Sequence, residues 1–321
     1  MKKILITGGC GFIGSHLVEY FLNKNKKVIV FDKIGKRFEK NWLVGFKHKN
    51  LKIILNDIRN FKKLDSEIKK CDQVIHLAAA ISIPHSYKFP REHVSINILG
   101  TLNILESCKK NNKSCIITST SETYGSGDYF PMDEKHPLKA QSPYAATKIS
   151  ADQLALAYYN SFNLKVKIIR PFNCFGPRQS TRAVIPTMIM QLIKNSKSIK
   201  IGNVTTYRDY TFVEDLCKAY WLLSKSNLGY GKVFNVGSNK THKIKDILFY
   251  LKKISGSKSV IKKEKKRFRP TKSEVLKLHC NNKEFLKNFK WKPSDFKKKL
   301  VHTFNWYKKN YHLFDASKYN Y

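Results

Sequence analysis

Acidic residues are scarce in this chain. Asp and Glu number 23 against 61 Lys and Arg, a formal net charge of +38 over 321 residues. Such an excess raises the question of nucleic acid. No helix-turn-helix, finger or RNA-binding motif accompanies it, and the excess is mostly Lys, spread along the whole chain with abundant Asn and Ile. An AT-rich coding sequence gives that bias. It reads as solvated surface charge, part of it drawing in an anionic substrate, and nucleic acid is not the expected partner. The densest run, residues 262–269 (KKEKKRFR), reads as an exposed loop that can help to bind phosphate.

Cysteine is also sparse. Cys10, Cys71, Cys108, Cys115, Cys174, Cys217 and Cys280 are odd in number, scattered and without a CxxC pair. That argues against a disulfide framework and a zinc site, so no metal is expected and a reducing cytosol is favoured. No apolar run reaches the ~18 residues of a membrane span. The opening MKKILITG is too short for a secretory signal and leads straight into glycines, so it reads as a first strand. Internal repeats and low-complexity linkers are missing as well.

Short apolar runs at residues 3–7, 27–31, 53–55, 74–77, 114–118 and 166–169 alternate with helical patterns, notably at 14–22, 94–108 and 144–162. That alternation predicts an α/β fold with a parallel sheet covered on both faces. After Arg170-Pro171 the pattern loosens. Helices near 185–193, 213–223, 244–254 and 296–307 alternate with short strands and predict a smaller, interleaved lobe.

Between the first strand and first helix stands Thr7-Gly8-Gly9-Cys10-Gly11-Phe12-Ile13-Gly14. Gly8, Gly11 and Gly14 allow a tight turn and close approach of the backbone to a pyrophosphate. The helix N-terminus adds free N–H groups and the positive end of its dipole. Asp32, at the end of the second strand, is placed to accept hydrogen bonds from an adenosine ribose and to repel a 2′-phosphate, which favours NAD over NADP. Lys33, Lys36 and Arg37 follow it.

The segment Thr118-Ser119-Thr120-Ser121-Glu122-Thr123-Tyr124-Gly125 precedes Tyr144-Ala-Ala-Thr-Lys148. Tyr144 and Lys148 share a helix face. The ammonium is expected to hold down the phenol, ordinarily about 10, so that it exchanges a proton with a substrate hydroxyl. Thr120 offers a hydroxyl to the same substrate oxygen. Glu122 is not required to take hydride from an alcohol carbon, but it suits abstraction of a proton beside the resulting ketone. Ser121 can donate to, or only hydrogen-bond, a leaving hydroxyl. The set implies oxidation followed by elimination.

With these residues in place, the chain resembles the extended short-chain dehydrogenase/reductase family of nucleotide-sugar enzymes over nearly its whole length. The resemblance is carried by TGGCGFIG, Asp57-Ile58, His76-Leu77-Ala78-Ala79, Asn97 in NILGTLN and the Thr/Tyr/Lys set. Arg170-Pro171-Phe172-Asn173, Gly176-Pro177-Arg178, Arg208-Asp209 and Arg269-Pro270 complete it. It implies a Rossmann-type doubly wound sheet with a smaller C-terminal α/β substrate lobe. The NAD domain would cover 1–172, with a contribution from 203–227, and the nucleotide-sugar lobe 173–202 and 228–321.

By the same resemblance, Gly8, Gly11, Phe12, Ile13, Gly14, Asp32, Lys33, Asp57, Ile58, Leu77, Ala78, Ala79, Tyr144, Lys148 and Pro171 would meet the cofactor. Ser82, Pro84, His85, Asn173, Arg178, Val184, Arg208, Arg269 and Glu274 would meet the nucleotide sugar. The Thr-Ser-Glu triplet resembles GDP-mannose 4,6-dehydratases and is also found in UDP-glucuronate decarboxylases. Residues 131–138, 176–186 and 269–275 look like the nucleotide-activated N-acetylglucosamine 4,6-dehydratases of legionaminic acid synthesis. His85 stands where that pattern has an aromatic Tyr. A UDP-sugar 4-epimerase and a UDP-glucuronate decarboxylase are the alternative enzymes, and an NAD-sensing or RNA-binding protein the non-enzymatic one. The family also implies a homodimer through a four-helix interface built from residues 94–108 and 144–162, with Leu154 and Ala155 as candidates.

Overall fold

The computed structural model describes residues 2–33 and 41–314, so Lys36 and Arg37 lie outside the described residues. Its strands are β1 (Lys3–Thr7), β2 (Lys27–Asp32), β3 (Leu51–Leu55), β4 (Gln73–His76), β5 (Ser114–Thr118), β6 (Val166–Pro171), β7 (Asn173–Phe175), β8 (Ser198–Ile201), β9 (Tyr207–Phe212), β10 (Val233–Val236), β11 (Thr241–Lys243), β12 (Val260–Lys263) and β13 (Lys277–Leu278). Seven of them form one sheet in the order β10-β6-β5-β4-β1-β2-β3, with every neighbouring pair parallel.

Alternation along β1 explains the layers. Ile4 and Ile6 point to one face, where they meet Leu17 and Phe21 of helix Phe12–Asn23 and Leu216 and Tyr220 of helix Val213–Lys225. Leu5 points to the other, with Leu64, Leu105 and Ala155 from helices Phe61–Ile68, Gly100–Lys110 and Pro143–Phe162. Each buried aliphatic side chain stabilises the sandwich by about 1.5–3 kcal/mol. Strand order reverses beside β1, since β2 lies on one side and β4 on the other. The crevice beyond the carboxyl ends of the strands at such a reversal is the usual ligand site of an open parallel sheet.

The second region is a smaller sheet in which β9 pairs antiparallel with β11 and parallel with β7 and β13, together with the parallel pair β8–β12. Helices Val184–Ile193, Ile244–Ser255 and Phe296–Lys309 pack around its core.

Three sequence expectations differ from the structure. Residues 233–236 were given to the smaller lobe, yet β10 closes the edge of the large sheet against β6, because Phe234 and Val236 bury in that sheet's core. The segment expected as one helix over 94–108 is α-helical at Pro90–His93, π-helical at Val94–Leu99 and α-helical again at Gly100–Lys110. The π-turn holds buried Asn97, whose amide bonds Ala80 on both N–H and C=O and donates to Thr147 Oγ1 at 3.0 Å. Ala155 is wholly buried against the sheet and is not available to a partner. The exposed apolar side chains of these helices are Val94, Leu99, Tyr159 and Phe162.

Helix Pro143–Phe162 is well bounded. Ser142 caps it by accepting from Ala145 N–H, and Asn163 ends it in the left-handed region at φ 53°. All seven cysteines are free thiols. Among the described residues no helix is long and apolar enough to cross a membrane.

Candidate active site

At the carboxyl end of β1 the backbone turns tightly at Gly8 (φ +70°), where a Cβ would stand 2.8 Å from the Ala78 nitrogen. A Cβ on Gly14 would lie 2.1 Å from the Gly8 carbonyl oxygen, so loop and helix pack backbone to backbone. A Cβ on Gly11 would meet only that same carbonyl, at 3.5 Å, which leaves its other side bare. Gly11 caps the helix that begins at Phe12, and no side chain satisfies the first N–H groups. Bare backbone with unsatisfied donors is what a pyrophosphate requires, so the residues present fit a dinucleotide.

Around this cradle, Asp32 accepts Cys10 N–H at 2.7 Å. Asp57 binds Arg59 at 2.6 Å and Lys33 at 2.9 Å. The Arg59 hydrogen bond, helped by Lys33, holds the Asp57 carboxyl well below the usual carboxylate range. Lys33, expected at the cofactor, is engaged by Asp57. Ile58 is buried beneath the position of Gly100, where a Cβ would come within 2.4 Å of its Cδ1. Leu77 and Ala78 donate to the Thr7 carbonyl and hydroxyl, at 3.2 Å each, and Ala79 follows them. Pro171 ends β6. Ile13 is wedged between the cores of both regions, and Phe12 packs edge-on against His16.

The second group stands beyond β5. Thr120 caps the short 3-10 helix Ser121–Tyr124 by accepting Glu122 N–H, and Ser121 is buried in that turn. Tyr144 is nearly buried on the first turn of its helix. Burial pushes its phenol up, a hydrogen bond from Thr120 opposes that, and the charges of Glu122 and Asp152 reinforce it. This reverses the sequence expectation: enclosure outweighs the pull expected from Lys148. Lys148, one turn on, donates to the Thr118 carbonyl at 2.6 Å, and burial lowers its ammonium. His76, at the end of β4, is structural. It bridges Thr7 and Thr101, and burial lowers it to about 3.

Facing these residues is a cluster of charge. Arg269 contacts both oxygens of Glu122, at 3.3 and 3.5 Å through Nη1 and 3.4 Å through Nη2. Glu274 lies 3.7 Å from Arg208, which also donates to the Tyr207 and Leu276 carbonyls. Burial lowers the Arg208 guanidinium, and the Glu122 and Glu274 charges act against that. Burial opposes the charge on Arg269 too, but Glu122 lifts it above its ordinary value. Glu122, Arg208, Arg269 and Glu274 thus stand together in one cluster.

Other expected substrate residues lie elsewhere. Arg178, at φ +68°, pairs with Glu19 at 2.8 Å and reaches Ser15, both on the helix that follows the glycine loop. It sits with the cofactor cradle and is not part of the Arg208–Arg269 cluster. Ser82 caps helix Ile83–Lys88, with Pro84 in its first turn. His85 shares a hydrogen bond with buried His93, whose ring meets Tyr144 edge-on at 6.2 Å. Asn173 opens β7 and its buried Oδ1 has no partner among the described residues. Val184 begins helix Val184–Ile193.

Sequence reasoning gave no role to five contributors. Asp152 and Arg170 form a buried pair at 2.7 Å behind Lys148; the Lys148-to-Asp152 spacing of four was the available signal. Tyr87 meets Ser273 at 2.5 Å, and Ser273 donates to the Gln141 carbonyl, which ties the segment bearing Arg269 across the site. Nothing in local sequence links those three residues.

The chain is similar to known proteins. The family model for GDP-mannose 4,6 dehydratase matches residues 5–303. A dTDP-D-glucose 4,6-dehydratase of Dictyostelium discoideum is 38% identical over 257 residues, 74% of this chain, and the chain spans 59% of that relative's length. A UDP-glucuronate 4-epimerase of Thermodesulfobacterium geofontis is 33% identical, covering 99% of this chain and 100% of its own. The crystal structure of a dTDP-glucose 4,6-dehydratase from Streptomyces venezuelae, solved with NAD bound, superposes with a TM-score of 0.91 at 26% identity. It covers 98% of this chain and 100% of that one.

Proposed function

The chain belongs to the GDP-mannose 4,6-dehydratase family of extended short-chain dehydrogenases/reductases, and from that premise we propose that it is an NAD-dependent 4,6-dehydratase. Its substrate would be a nucleotide-activated hexose, UDP- or GDP-N-acetylglucosamine, and its product the 4-keto-6-deoxy sugar. The observation that carries the reading is the meeting of Glu122 with Thr120 and Tyr144 on one side and Arg269 on the other. It sets a carboxylate beside the hydroxyl-handling residues, where elimination needs a base.

NAD would be held by the glycine cradle and Asp32 with the Asp57–Ile58 and Leu77–Ala79 walls, and it supplies a hydride acceptor and donor together with positive charge at its nicotinamide. Tyr144 takes the proton of the sugar 4-hydroxyl, steadied by Thr120, while Lys148 supports the phenolate. The ketone acidifies carbon 5, and Glu122 removes that proton as water leaves carbon 6. Ser121 hydrogen-bonds the leaving hydroxyl, and since a serine is a poor acid Glu122 passes the carbon 5 proton to it; the proton that carbon 5 regains comes from solvent through Glu122. Arg208 and Arg269 supply cationic donors for the diphosphate. The protein would act in the cytosol as a homodimer through the exposed apolar residues Val94, Leu99, Tyr159 and Phe162.

A second reading is favoured by the full-length similarity to a UDP-glucuronate 4-epimerase. There Arg269 would meet a substrate carboxylate instead of Glu122. Incubation with UDP- and GDP-N-acetylglucosamine and with UDP-glucuronate, read by mass spectrometry, separates the two. Loss of one water from an N-acetylglucosamine donor is expected. Unchanged mass with inverted carbon 4, or loss of carbon dioxide from UDP-glucuronate, would replace the dehydratase with an epimerase or a decarboxylase.

A further inference from the structure

A chain of buried charge runs behind the proposed catalytic pair. Lys148 is 3% exposed, and among the described residues its one hydrogen bond is to the Thr118 carbonyl. Four residues on, and so on the same helix face, lies Asp152, fully buried. Its Oδ2 accepts from Ser119 Oγ at 2.5 Å and Arg170 Nη2 at 2.7 Å, while its Oδ1 has no partner among the described residues. Arg170, 2% exposed, also donates to the Tyr124 hydroxyl at 2.8 Å and to Ser119.

Two enclosed cations and one enclosed carboxylate leave a single excess positive charge. An ammonium out of water loses its proton unless negative potential replaces its hydration. His76, the nearest titratable group on β4, is neutral and cannot serve. Arg170 on β6 is a cation and worsens the problem. Glu122 is occupied by Arg269, and the phenolate of Tyr144 is a charge that Lys148 has itself to support. Asp152, enclosed on the same helix face, is the carboxylate left to supply the charge; it makes no ion pair with Lys148, but its charge raises the ammonium against burial. The arrangement carries a trade, since the same carboxylate makes the Tyr144 phenol harder to ionise. Arg170 screens that effect by holding one carboxylate oxygen.

We propose that Asp152 is a positioning residue whose buried carboxylate, on the same helix face, keeps Lys148 protonated inside the fold by its charge, with Arg170 as its counterweight. The inference rests on the dehydratase reading only in assigning Lys148 a role with Tyr144. The charge relation itself holds for any reaction of the site.

Its test therefore starts without substrate. With lysine labelled at 13Cε and the Lys148 signal assigned by its loss in Lys148→Arg, NMR titration follows the ammonium directly. In Asp152→Asn the midpoint should fall by about one pH unit or more, and Asp152→Glu should restore most of the shift. Asp152→Asn leaves Arg170 an unpaired buried cation and can fail to fold. Arg170→Gln removes the opposing cation and leaves the carboxylate to Lys148, so the midpoint should rise there instead. An unchanged midpoint in either folded variant overturns the proposal. If wild type also turns over a nucleotide sugar, the high-pH limb of the folded variant's rate profile should move with the NMR midpoint. An equal loss of rate at every pH would show a structural role and overturn it too. Absence of turnover in wild type would count against the dehydratase and leave the NMR result standing.

Discussion

At the cofactor end of the crevice, Gly8, Gly11 and Gly14 stand in one loop and the first turn of one helix, and their neighbours are backbone atoms. At the sugar end, Glu122 meets Arg269 across 147 residues of chain, and Arg208 meets Glu274 through long side chains. The first site is built by local geometry and tolerates almost no added atom. The second is assembled by the smaller lobe folding over the larger, and its contacts of 3.3–3.7 Å leave room to rearrange around a ligand. Chemistry common to the relatives belongs to the first end and the adjoining Tyr144. In the proposed reading, the choice among dehydration, epimerisation and decarboxylation belongs to the second.

The largest expected effect comes from the residue where the two ends join. Tyr144→Phe should lower the first oxidation by about a hundredfold to ten-thousandfold, so neither NADH nor product accumulates; rapid mixing with absorbance detection reads this. At the cofactor end, Gly14→Ala forces a methyl carbon against the Gly8 carbonyl. It should destabilise the fold by about 3 kcal/mol and abolish NAD binding in calorimetry. Normal NAD affinity in that variant would show the cradle to be looser than described. At the sugar end, Arg269→Gln should weaken the substrate about tenfold, one charge-assisted hydrogen bond, with NAD affinity unchanged. A fall in NAD affinity instead would join two regions held here to be separate.

The smallest effect is electrostatic. Asp57 has its carboxyl lowered by Arg59 and Lys33, so its stabilisation is complete above the unfolded value of about 3.9 and fades as pH falls through the lower folded value. Asp57→Asn should therefore cost less than about 1 kcal/mol at pH 7. The variant and wild type should converge in denaturant midpoint as the pH drops well below 4.

Legibility in the sequence follows the same division. The parallel sheet, the glycine loop and the Tyr144–Lys148 pair could be read because strand alternation, a glycine spacing and a helical repeat are local signals. Even Glu122 stood out, because its chemistry exceeds what oxidation needs. The pairing of Arg178 with Glu19 and Ser15 was not legible, because proximity in a motif does not say which surface its left-handed backbone turns it towards. β10 was assigned to the wrong region because Val233, Phe234 and Val236 do not say which sheet they join. The reversed shift of Tyr144 and the Tyr87–Ser273–Gln141 tie arise from enclosure and long-range packing, which no spacing encodes.

In the proposed dehydratase the carboxylate at the sugar end turns a shared oxidation into an elimination, and Glu122→Gln tests this most directly. Mixed with nucleotide-activated N-acetylglucosamine in a stopped-flow spectrometer, the variant should develop NADH absorbance at a rate near that of wild type and then stall. Dehydrated sugar and solvent deuterium at carbon 5 should both fall by about a hundredfold or more. Dehydration at the wild-type rate would contradict the account, reduce Glu122 to an anchor for Arg269 and turn the reading towards an epimerase.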